Sequence, residues 1–164
     1  MNRVCLTLAR LCSAIWIGAA FLFVVTSVTE QVHPAFDGAT KDTLALIRFP
    51  WFYGTGFTLL AVAFLATCFT RLAARTRTTA LLLLLGAIVL MSADHIFIYR
   101  PMRELLSSPD ASRGATFDRL HAWSEQINVA GFLLSLTASI TLCAANPLRK
   151  QQETPRGTTS DHPP

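Results

Sequence analysis

Charge is what this 164-residue chain has least of: Lys, Arg, Asp and Glu together make up 15% of it, against about a quarter in soluble domains. With 52% hydrophobic residues and a mean hydropathy of +0.43, that shortage excludes an ordinary soluble domain and indicates a membrane protein. Cysteine is also scarce. Cys5, Cys12, Cys68 and Cys143 include no Cys-x-x-Cys pair, which removes the usual dithiol and zinc-ribbon patterns. There is no glycine-rich phosphate loop and no basic face interleaved with aromatics, so no nucleic-acid partner is expected. Internal repeats and a low-complexity core are missing too. The formal net charge of +4 then reads as the basic flanks of membrane segments.

What the chain does have is four apolar runs, at about 11–28, 51–69, 79–99 and 127–145. Each approaches the roughly 20 residues that cross about 30 Å of hydrocarbon. The first follows Arg3 and Arg10 as a secretory signal would, but it exceeds the 7–15 apolar residues of a cleavable leader. It is expected to remain as a span. Ala9-Arg-Leu-Cys12 lacks the small residues of a lipoprotein signal, so lipidation is not expected.

Orientation follows from the basic residues. Arg3, Arg10, Arg71, Arg75, Arg77, Arg149, Lys150 and Arg156 fall on one side of the four runs, and Lys41, Arg48, Arg100, Arg103, Arg113 and Arg119 on the other. Eight against six, sharpened by the short Arg cluster at 71–77, puts both termini in the cytoplasm and the chain in a cytoplasmic (inner) membrane of bacterial type. Trp51, Tyr53, Tyr99 and Trp123 would then form an interfacial aromatic belt at the outer ends of the spans. All four cysteines would lie near the cytoplasmic side, where thiols stay reduced, so no structural disulfide is expected.

The connections differ in length. The outer segment 29–50 mixes charges with His33-Pro34 and Asp37-Gly38 before a helix-compatible stretch, and Pro50 is placed to open the second span in its first turn. The inner segment 71–78 makes a tight hairpin. In the third connection Pro101 is expected to bend or end a helix, and 107–110 to form a turn before a new start near Thr116. The tail 146–164 is polar and aperiodic, and is expected to be disordered. Ala14/Gly18, Gly54, Gly86 and Gly131/Ser135 offer small side chains for close helix approach. The fold class is therefore an all-α antiparallel four-helix transmembrane bundle over residues 1–145.

Candidate functional side chains gather at the outer end. His121, Ser124, Glu125 and Asn128 recur at helical spacing on one face opening the fourth span, continued by Phe132, Ser135 and Ser139. Asp94 and His95 close the third span, Arg100 follows, and Glu30 and His33 follow the first. Asp94 is the costliest of these, because a carboxylate in hydrocarbon needs a partner, a proton or water. Arg100 and His121 are its reachable partners. Adjacent residues on an α-helix diverge by about 100°, so Asp94 and His95 are not expected to face inward together. The ligand-binding candidates are thus Asp94, His95, Arg100, His121, Ser124, Glu125 and Asn128, each of which also has a bland reading as an interhelical hydrogen bond or a surface pair.

Three chemistries can be set beside them. His95 and His121 at one end of a bundle are compatible with axial haem ligation, and His33, His95 and His121 with a copper site. A Ser124–His121 nucleophile pair has the weakest basis, with no oxyanion device in view.

Trp16-Ile-Gly18, Arg48-Phe-Pro50-Trp-Phe-Tyr53, His95 to Met102, and Leu120-His121-Ala-Trp-Ser124 with Asn128 are similar to segments of a known family. The chain resembles the small four-helix membrane proteins that include transmembrane protein 205. The likeness runs from Trp16 to about Leu142, and departs at His95, where the family shows Asn, and at Ala122, where it shows Gly. It implies a fold and a membrane location but no reaction. The leading expectation is an integral membrane protein, non-enzymatic, partnered by the lipid bilayer and binding a small ligand or protein through its outer polar cluster, with no cofactor. The alternative is a haem- or copper-bearing redox protein or a small four-span oxygenase-like enzyme.

Overall fold

The computed structural model describes residues 2–107 and 114–145; the expected turn beyond Ser107 and the expected tail 146–164 lie outside them. The fold is an all-α bundle of four helices, each long and apolar enough to cross a membrane. Helix α1 runs over Asn2–Val32 and α2 over Gly38–Cys68. The third span is composite: α3 (Ala74–Asp94), a π-helical turn (His95–Tyr99) and the short α4 (Arg100–Ser107), end to end. Helix α5 (Ala115–Ala144) completes the bundle. Around the bundle the order is α1, α2, α3, α5, each packed on its two neighbours, with α1/α2 and α3/α5 the most extensive pairs.

The antiparallel arrangement is visible in the contacts that tie the ends. At one end, Asn2 accepts a hydrogen bond from the Arg71 amide just beyond α2, and the Arg10 guanidinium donates to the Leu142 and Ala145 carbonyls at 2.9 and 2.5 Å. Those carbonyls belong to the last turn of α5, where backbone acceptors lack helical partners and the helix dipole favours a cation. At the other end, Glu30 near the end of α1 pairs with Arg48 of α2 at 2.6 Å. The Asp94 end therefore holds the close of α1 and α3 and the opening of α2 and α5.

Side-chain size is distributed the reverse of a soluble bundle. Ala9, Ser13, Ala63, Ala80, Ala87, Ser135 and Ala138 are buried, while Phe21, Leu22, Leu65, Leu82, Val89 and Phe97 point outward. In lipid no hydrophobic force drives helices together, so association rests on close backbone approach and interhelical hydrogen bonds. Small residues inside provide the first. Gly56 marks the tightest point: a Cβ there would lie 2.7 Å from the Trp16 ring and 2.6 Å from the Met91 methyl.

Several sequence expectations are corrected. Gly18 and Gly54 have nothing within 4 Å of a built Cβ and Ala14 is exposed, so these small residues lie on the outer surface; Gly86 and Gly131 face Leu134 and Leu90. Pro50 does not open a helix. The segment 38–49 is already helical, started by Asp37, whose carboxylate accepts from the Thr40 amide at 2.8 Å, and Pro50 lies well inside α2. Pro101 does not end one either. It has no N–H to bond back one turn, and the chain stays helical by passing through the π turn, closed by a bond from the Arg100 amide to the His95 carbonyl. Tyr53 and Tyr99 are 2% and 4% exposed, in the core and not in a belt; Trp51 and Trp123 alone of the four face outward.

Candidate functional site

Asp94, at the last position of α3, is completely buried. Its Oδ2 accepts two hydrogen bonds: from the Tyr53 hydroxyl of α2 at 2.5 Å and from the Asn128 amide of α5 at 2.8 Å. Asn128 is held in turn by its own helix, its Nδ2 donating also to the Ser124 carbonyl at 2.9 Å and to Ser124 Oγ at 3.1 Å. One carboxylate oxygen thus joins three of the four spans.

Each member arrives by an ordinary helical step. On α2, Tyr53, Gly56, Leu60, Ala63 and Thr67 make a buried stripe with steps of three and four. On α5 the corresponding stripe is Ser124, Asn128, Ser135, Ala138 and Leu142, with Asn128 half-buried.

The π turn that follows Asp94 builds the other half of the site. The Tyr53 ring lies 4.7 Å from the His95 ring and 5.0 Å from the Tyr99 ring, and His95 and Tyr99 stack at 5.4 Å. Phe49 packs on Tyr99 at 5.5 Å, and Phe57 stands edge-on to His95 at 6.2 Å. His95 therefore reaches the same aromatic wall as Asp94. Both residues keep α-helical backbone angles, and it is the Tyr53 side chain, bonded to Asp94 and packed on His95, that joins His95 to the site.

On Asp94, His95 and Tyr99 one polar atom each is buried without a hydrogen-bond partner: Asp94 Oδ1, His95 Nδ1 and the Tyr99 hydroxyl. Among the described residues no Lys or Arg side chain pairs with Asp94. A buried carboxylate with one oxygen doubly hydrogen-bonded and the other unpaired retains a strong demand for a donor or a positive charge.

The seven candidates read from the sequence divide into two groups. Asp94, Ser124 and Asn128 meet directly, and His95 joins them through Tyr53. Arg100, His121 and Glu125 are exposed. His121 Nε2 pairs with Glu125 Oε1 at 3.3 Å on its own helix and stacks on Phe117, so it partners neither Asp94 nor Ser124. His33 is exposed in the α1–α2 connection, where its Nδ1 accepts from the Ala35 amide at 3.2 Å. No cluster of three or more His, Cys, Asp or Glu suited to a metal exists among the described residues, and His33, His95 and His121 form none. Tyr53 and Tyr99, central to the site, were not legible as such. The available signal was that Tyr53 shares the three-four stripe of Gly56 and Ala63.

Fold and site together define a class: a multi-pass integral membrane bundle with a polar cluster around one buried carboxylate at one end. Compared with family models, with curated proteins and with solved structures, the chain matches none.

Proposed function

We propose that the protein is a non-enzymatic membrane bundle that binds a small monovalent cation, of the size and chemistry of ammonium or methylammonium, at Asp94. The observation that carries this reading is the fully buried Asp94 carboxylate, whose Oδ1 has no partner and which no described cationic side chain neutralises. Two further features support it. The rings of His95 and Tyr99 pack against Tyr53, whose hydroxyl holds the carboxylate, and aromatic faces attract a desolvated cation. The Tyr99 hydroxyl and His95 Nδ1 add acceptors for its N–H groups. Ser124 and His121 do not form a nucleophile and base, since the Ser124 hydroxyl is engaged by Asn128 and His121 by Glu125. With both termini cytoplasmic, as the eight-to-six basic asymmetry favours, the site lies buried near the outer end of a bundle in a cytoplasmic membrane.

The test is thermal unfolding of the purified full-length protein in detergent with methylammonium chloride as probe. Sodium chloride at equal ionic strength is the control. A ligand that binds only the folded state stabilises it by about 2.7 kcal/mol at a hundred times Kd. The wild type is expected to rise in Tm with methylammonium and Asp94→Asn to show no rise. Equal responses of the two proteins would refute the reading.

A further inference from the structure

A second feature of the molecule lies between α1 and α2. An open groove of about 220 Å3 is lined by Trp16, Phe23, Arg48, Trp51, Phe52 and Thr55. Its walls are aromatic: Phe23 stacks on Phe52 at 4.3 Å, Trp16 lies 5.2 Å from Phe52, and the Arg48 guanidinium sits 5.6 Å above the Phe23 ring. Two of the lining residues carry a buried N–H with no acceptor, Arg48 Nε and Trp16 Nε1. Both groups can only donate. Two residues of these apolar walls thus hold unmet buried donors, and an occupant carrying hydrogen-bond acceptors would satisfy them.

The charge of the rim narrows the occupant. Arg48 Nη1 and Nη2 are taken by the two oxygens of Glu30, at 2.9 and 2.6 Å, which leaves Nε as the free edge of a nearly neutral pair. A net anion would meet the Glu30 carboxylate as well as the guanidinium. A zwitterion meets each with its opposite charge.

We propose that the groove seats a zwitterionic phospholipid of the surrounding bilayer that carries a primary ammonium. Its phosphate faces Arg48 Nε and its ammonium faces Glu30. One acyl chain lies against Phe23 and Phe52, and the ester carbonyls below the phosphate are the acceptors offered to Trp16. The occupant comes from the bilayer because the groove opens on a face of exposed Trp51 and Thr55, between two helices whose outward surface is apolar.

The experiment uses the full-length chain with Trp123→Phe, which leaves the two groove residues Trp16 and Trp51 as its tryptophans. The protein is reconstituted in phosphatidylcholine vesicles containing a minor fraction of chain-brominated phosphatidylethanolamine or chain-brominated phosphatidylglycerol, and tryptophan fluorescence is recorded. Brominated phosphatidylethanolamine is expected to reach half-quenching at a roughly tenfold lower mole fraction, the lower end of the yield of one additional charged hydrogen bond. The paired Glu30→Gln/Arg48→Gln variant removes the carboxylate that the ammonium meets together with its guanidinium partner, and is expected to abolish the preference. Quenching that is equal for the two headgroups, meaning annular contact only, overturns the proposal. So does a preference for phosphatidylglycerol, or a phosphatidylethanolamine preference that survives in a folded Glu30→Gln/Arg48→Gln protein.

Discussion

The bond between Tyr53 and Asp94 offers the sharpest test of how the bundle is held at its polar end. Tyr53→Phe removes one hydroxyl and leaves the ring in place against His95 and Tyr99. Asp94→Leu removes the carboxylate and keeps the branching and heavy-atom count of the side chain. Either single change strands a buried group, since Tyr53 is 2% exposed and Asp94 not at all. Hydrogen bonds to charged groups contribute about 1.5–3 kcal/mol in soluble proteins, whereas interhelical pairs in membranes average about 0.6 and reach about 1.7. Asp94 belongs at the upper end of the membrane range, because its Oδ2 receives both the 2.5 Å bond from Tyr53 and the 2.8 Å bond from Asn128. The double variant should therefore be less destabilised than the sum of the singles by about 1.5 kcal/mol, a coupling well above the usual 0.3–0.5 kcal/mol error of additivity. Reversible unfolding of all four proteins in mixed micelles, titrated with a denaturing detergent, measures it. Additive singles would mean that the bond does not hold α2 to α3, and the account of the site as a three-helix junction would fail.

Two further changes probe packing and capping. Gly56→Ala drives a methyl into the Trp16 ring, which is fixed by Phe52, and should lower stability by about 1–3 kcal/mol; Gly54→Ala, with open space at its Cβ, should instead be neutral or gain up to about 1 kcal/mol from helix propensity, so that a shared sign in the two melting curves would contradict the packing. At the start of α2, the hydrogen bonds from Thr40 hold the Asp37 carboxyl below its ordinary 3.8. A folded-state value below the unfolded one adds stability that is complete above that range and is lost as pH falls through the folded value. Amide exchange at 38–42 should therefore accelerate relative to the rest of α2 on acidification well below 3.8, and this acid response should vanish in Asp37→Ala.

Particular residues show what could be read early. Four apolar runs separated by charged connections specify four spans, because a lipid interior tolerates a chain only where every backbone group is bonded within a helix. Asp94 stood out for the same reason, as a carboxylate inside such a run. The face of Ser124, Asn128, Ser135 and Ser139 was also legible, since its spacing survives in α5 as the buried stripe. His121 and Glu125 were drawn into that face by their spacing, yet both are exposed. Helical phase says which side of a helix a residue occupies but not whether a neighbouring helix covers it at that level.

The amino-acid order by itself determined the helices, their number and the cost of burying Asp94, because each depends on local composition and on periods of three and four. Only the tertiary structure decided which groups meet that cost. Tyr53 and Asn128 reach Asp94 from sequence separations of 41 and 34 residues, and the Tyr53 ring joins His95 and Tyr99 to the same site. Such partners depend on the register between helices, set by how closely small residues such as Gly56 let backbones approach.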